Sequence, residues 1–149
     1  MRMIRLAVVL VVLVTACEFG DERPRDEVVA DQERHQAALD VVLVEAFGSG
    51  SLTEWTEVPD TLRLCSLTSG TLLMTAMTLD GTFGLESSYA AFVEAIGDKA
   101  DVTDMVETAA DTAWDFRARD DSMAGSGAMF WDEGALRVRI DGGCYADGD

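Results

Sequence analysis

Three cysteines, a single histidine and a large excess of carboxylates are the side chains in this sequence on which chemistry could be built. Cys17 stands in the most specific context. Met1 to Arg5 carries Arg2 and Arg5 and no acid, an unbroken apolar run follows from Leu6 to Val14, and Val14-Thr15-Ala16 precedes the cysteine. A basic start, an apolar stretch and small residues before a cut are the marks of a secretory signal. The run is also too short for the roughly 20 apolar residues of a membrane span. Two processing routes would both cut after Ala16. An ordinary signal peptidase would leave a soluble secreted protein with a spare thiol, whereas a lipobox, read as Val14-Thr15-Ala16-Cys17, would put a thioether-linked diacylglycerol on Cys17. The near absence of a polar spacer before the cut favours the lipobox. So does the odd number of cysteines: with Cys17 lipidated, Cys65 and Cys144 are left to pair with each other.

Residues 1–16 therefore read as a lipoprotein signal peptide, 17–26 as the lipidated cysteine with a polar tether, and 27–149 as a single domain. Each buried methylene contributes about 0.8 kcal/mol, so two or three acyl chains such as palmitate hold a protein at a membrane where one does not. The expected location is the extracytoplasmic face of the cell membrane. Loss of Arg2 and Arg5 leaves nine basic residues against 28 acidic ones, a net charge of −19. Such a chain lacks the basic footprint of a nucleic-acid binder. In an oxidising compartment Cys65 and Cys144 would form a staple across a loop of about 80 residues, contributing roughly 4 kcal/mol. Gly142-Gly143 is expected to let the backbone turn so that Cys144 can reach its partner.

Catalytic candidates are few. His35 lies on the apolar side of an expected helix, where a packed histidine is the ordinary finding, and no nucleophile motif accompanies it. Asp98, Asp101 and Asp104 recur at steps of three, and Asp120-Asp121 and Asp132-Glu133 flank expected turns. None has the spacing of a calcium loop, and caps, turns and solvated surface account for them. The expectation is a non-enzymatic domain without metal or cofactor.

Periodicity then supplies the elements. A helix is expected from about Asp26 to Phe47, stopped by Gly48, with His35, Leu39, Val42 and Ala46 on one face. Short strands are expected at Thr61–Cys65 and Thr71–Leu79, with a turn at Asp80-Gly81. A second helix is expected from Leu85 to Ile96, stopped by Gly97, and a third from about Val102 to Ala113, capped by Asp101. Strict alternation at Trp114, Phe116 and Ala118, and again at Leu136, Val138 and Ile140, marks two strands with one buried face. Ala128–Trp131 is expected between them, with a tight turn at Asp132-Glu133-Gly134. The fold class is α+β: an N-terminal helix, short strands, two further helices and a C-terminal three-stranded antiparallel meander covered by helices on one face.

That alternation has one consequence for binding. If Phe116 and Val138 face the core, Arg117, Arg119, Arg137 and Arg139 share the opposite face, with either Trp131 and Met129 or Phe130 between the arginine rows. A basic strip around an aromatic grips anionic or ring-bearing partners by salt bridge and cation–π contact. The competing account pairs these arginines with Asp115, Asp141 and other acids across strands.

The lipobox cysteine, the long first helix, Leu64-Cys65 and the closing Asp141-Gly142-Gly143-Cys144-Tyr145 together resemble the small disulfide-bearing lipoproteins of actinobacteria, including the LppA-like type. That resemblance implies an envelope location and an α+β fold, and no activity. The function expected from these features is a lipid-anchored binding or scaffolding module for an unidentified envelope component. The alternative is a small-ligand carrier using an apolar cavity between sheet and helices near Met74, Met77 and Phe92.

Overall fold

A computed structural model describes residues 23–58, 71–120, 124–130 and 134–145. The chain is α+β, with two helices laid on one face of a seven-stranded antiparallel sheet. Helix α1 runs Arg25–Phe47, directly after Pro24, whose fixed φ suits a helix entry. Asp26 and Glu27 in its first turn lie at the positive end of the helix dipole. It stops at Gly48, whose φ of +85° few other residues adopt and whose N–H donates to the Val44 carbonyl. Its inward stripe is Val28, Gln32, Leu39, Val42 and Leu43, all buried. Helix α2, Leu85–Ile96, stops in the same way at Gly97, with φ +54°.

The strands are β1 (Thr56–Glu57), β2 (Thr71–Thr78), β3 (Ala100–Val102), β4 (Val106–Glu107), β5 (Asp111–Ala118), β6 (Ala124–Phe130) and β7 (Leu136–Tyr145). Their order is β1-β2-β7-β6-β5-β3, with β4 also on β5. The three C-terminal strands are thus adjacent as expected, but they form the middle of a wider sheet rather than a meander of their own. Met77 on β2, Trp114 and Phe116 on β5, and Leu136, Val138 and Ile140 on β7 meet Leu39, Val42, Leu43, Phe92 and Ile96 of the helices in one core. Phe92 packs its ring against both Trp114 and Phe116.

Three expectations are corrected. The helix expected over Val102–Ala113 is instead β3, β4 and the start of β5. Thr103 sits between the two short strands and still pairs with β5: its N–H donates to the Asp115 carbonyl and its hydroxyl accepts from the Asp115 N–H, both at 2.9 Å. Thr108 accepts from the N–H groups of Ala110 and Asp111, closing a turn. Threonine hydroxyls that bond to the backbone in this way draw the chain out of a helix. Secondly, β6 begins at Ala124, four residues before the strand expected at Ala128–Trp131. Thirdly, Gly142 and Gly143 make no chain-reversing turn, since β7 continues through them to Tyr145 with a shift of register against β2, from Met74 opposite Asp141 to Leu72 opposite Cys144. A Cβ on Gly142 would stand 2.5 Å from the Leu73 carbonyl oxygen and 2.6 Å from Gln32 Oε1, so this glycine admits a close approach of β2 and α1. The strand expected at Thr61–Cys65 lies outside the described residues. Among those residues no helix is long and apolar enough to cross a membrane.

Candidate interaction face

With both helices on one side, the other side of the sheet carries the alternate residues of β5 and β7. The core takes Trp114, Phe116 and Ala118, which leaves Asp115 and Arg117 on the opposite face. It takes Leu136, Val138 and Ile140, which leaves Arg137, Arg139 and Asp141. Arg119 follows at the end of β5. The expected sharing of one face by Arg117, Arg137 and Arg139 is therefore what the register produces.

The register also sets the rows. Arg139 is opposite Ser126, which is opposite Asp115, and Arg117 lies between Ala124 on one side and Asp101 on the other. Arg137 is opposite Ala128. The positions opposite Arg139 and Arg137 thus belong to Ser126 and Ala128. Of the two settings expected for the aromatic, the alternation gives Phe130, which falls on this face next after Ala128 and opposite Asp111, whereas Met129 is opposite Leu136 on the core side. Trp131 itself lies outside the described residues.

An open depression of about 680 Å³ lies on this face, bordered by Arg117, Arg119 and Arg139 and by Asp101, Asp115 and Asp141. Arg137 stands one row away, where its Nε donates to the Thr78 hydroxyl at 3.3 Å. Arg139 and Arg119 pair with acids: Arg139 Nε lies 3.0 Å from Asp141 Oδ1, and Arg119 lies 3.5 Å from Asp101. Arg117 and Arg137 are also engaged with neighbours. The face is consequently a lattice of alternating charges rather than a bare basic strip. The Arg119–Asp101 pair is about three-quarters exposed on both sides, and such pairs are worth about 0–1 kcal/mol, so an incoming carboxylate could displace one at little cost. A guanidinium offers a planar fork of donors that a carboxylate matches with two hydrogen bonds. The acids bordering the depression carried a signal in the sequence, since Asp115 and Arg117, like Arg139 and Asp141, are two residues apart and so share a face.

The remaining candidates lie elsewhere. His35 is half-buried on α1, and its pKa is lowered first by burial and then by the charges of Arg34 and Arg23. Its Nδ1 is buried without a hydrogen-bond partner. Asp98 follows α2, Asp101 is in β3 and Asp104 in the connection to β4, and among the described residues no group of three or more His, Cys, Asp or Glu is placed to hold a metal. Met77 and Phe92 are packed in the core, whereas Met74 belongs to the alternate face of β2, so the three do not line one wall. Cys144, in β7, is disulfide-bonded, and the cysteine it joins is outside the described residues. Comparison with family models, curated proteins and solved structures finds no match.

Proposed function

We propose that this protein is a lipoprotein held at the extracytoplasmic face of the cell membrane through Cys17, and that its domain is a non-enzymatic module that binds another envelope protein through the sheet face opposite the helices. The observation that carries the reading is the concentration of Arg117, Arg119, Arg137 and Arg139 on the sheet face turned away from both helices in a very acidic chain. The fitting partner presents carboxylates at strand spacing to the guanidiniums. The signal-like segment before Cys17 supports the anchor, as does the layout shared with small disulfide-bearing lipoproteins.

The test is crosslinking and pull-down of the membrane-anchored protein beside a variant with the four arginines replaced by glutamine. Loss of the crosslinked partners in a variant that keeps its thermal midpoint supports the face, and an unchanged set of partners removes it.

A further inference from the structure

The segment leading into α1 is fastened to the end of the last strand. The Arg23 N–H donates to the Cys144 carbonyl at 3.4 Å, and Arg23 bridges to Tyr145 as a short parallel pair. The Arg23 guanidinium pairs with Asp31 of α1 at 2.5 Å and lies over Gly143, where an added Cβ would stand 2.9 Å from its Nη2. Two residues on, the Arg25 guanidinium sits 5.6 Å from the centre of the Tyr145 ring and pairs with Glu57 of β1 at 2.8 Å. Residues 23–26, expected in the tether, therefore belong to the domain. The contacts of Arg23 and Arg25 on β7, α1 and β1 fix where the chain enters it.

Resting on the proposed lipidation of Cys17, we infer that this clamp makes the Tyr145 end of the domain its membrane-facing end and holds the arginine-bearing face side-on to the bilayer, level with a partner standing on the same membrane. Only six Cα steps separate Cys17 from Arg23, a reach of at most about 21 Å. Helix α1 starts at this end and rises by 1.5 Å per residue, so its far end at Phe47 lies about 34 Å beyond. Arg23 meets the Cys144 carbonyl and Gln32, further along α1, meets the Ile140 carbonyl, so α1 and β7 run side by side in opposite directions. Arg139 and Arg137 then follow one another up β7, away from the lipid. A domain with so large a negative charge is repelled from an anionic surface within a Debye length of about 8 Å, which opposes lying flat.

The test uses the full-length protein in phosphatidylcholine/phosphatidylglycerol vesicles carrying acceptor dye on their headgroups, with a donor placed at exposed Asp26 or exposed Ser49. Energy transfer about twofold greater from position 26 than from position 49 is expected from an end-to-end separation of about 30 Å. The Arg23→Gly, Arg25→Gly double variant should narrow that difference. Equal transfer from both positions, in protein that floats with the vesicles, overturns the orientation while leaving the anchor standing. An unaltered difference in the double variant overturns the clamp. Protein that does not float removes the anchor, and the orientation falls with it.

Discussion

Trp114 lies across Gly127 of the neighbouring strand, its Cε2 and Cζ2 atoms 2.4 Å from the point a Cβ on that glycine would occupy. The same arrangement recurs one pair along, where Gly125 is opposite Phe116. Both rings are almost wholly buried, and Tyr89 and Phe92 pack on the indole from α2. The glycines of β6 thus make the space that the aromatic residues of β5 fill.

Gly127→Ala should accordingly destabilise the domain by about 1–3 kcal/mol, the cost of forcing a methyl group into a packed core. Trp114→Ala alone should cost about 3–5 kcal/mol. The two changes relieve one another, so their combination should cost clearly less than the sum, as measured by denaturant unfolding of all three variants. Strict additivity would show that the indole does not need the glycine.

That contact also explains which parts of the fold could be read beforehand. Both helices were legible because an uninterrupted helical segment ends at a glycine that takes positive φ, at Gly48 and at Gly97. Strands β5 and β7 were legible because alternation leaves no other account of Trp114, Phe116, Leu136 and Val138. Strand β6 was placed too late because Gly125-Ser126-Gly127 is poor in strand formers, and only the rings on the next strand explain it. Only the register decides between Met129 and Phe130 on the binding face, and it gives Phe130 the parity of Ser126 and Ala128. The edge was misread for a different reason. Val102, Met105, Val106 and Ala113 fall at helical intervals, and the Thr103 and Thr108 hydroxyls that hold the chain extended act only once β5 is beside them. The arginine face, which depends on alternation alone, was legible; its acids follow from the same alternation, whereas its middle row depends on register.

A polar contact fastens the first half of α1 to the sheet. Thr75 Oγ1 accepts from Gln32 Nε2 at 2.8 Å and from Gln36 Nε2 at 3.0 Å, and Gln32 is buried. Thr75→Val keeps the shape and removes the acceptor, so it should cost about 1–3 kcal/mol. Adding Gln32→Leu removes the stranded donor together with Oε1, which already lacks a partner. The double variant should therefore be more stable than Thr75→Val alone. A further loss of stability would mean that the Gln32 contact to the Ile140 carbonyl outweighs the burial of its amide.

His35 gives the domain a pH dependence of known sign. Burial and the neighbouring Arg34 and Arg23 hold its folded-state pKa below the ordinary value of about 6.5. The unfolded chain therefore takes up a proton first as pH falls. Stability is full above about 6.5, declines below it, and stops declining once pH passes the lowered folded-state value. Denaturation midpoints at pH 7.5 and pH 5 should differ less in His35→Gln than in the natural protein. An identical difference in both would assign the pH dependence to carboxylates instead.

Cys144 is disulfide-bonded and the sequence offers two partners, Cys17 and Cys65. The proposed anchor requires the Cys65–Cys144 link, because an acylated sulfur cannot join a disulfide. Peptide mapping without reduction should recover Cys65 joined to Cys144. Closing a loop of about 80 residues contributes about 4 kcal/mol in the chain-entropy model, so Cys65→Ala and Cys144→Ala should lower the denaturation midpoint by equal amounts. Cys17→Ala should leave that midpoint unaltered and release the protein from the membrane. Recovery of Cys17 joined to Cys144 would contradict lipidation directly, and it would leave Cys65 as the spare thiol.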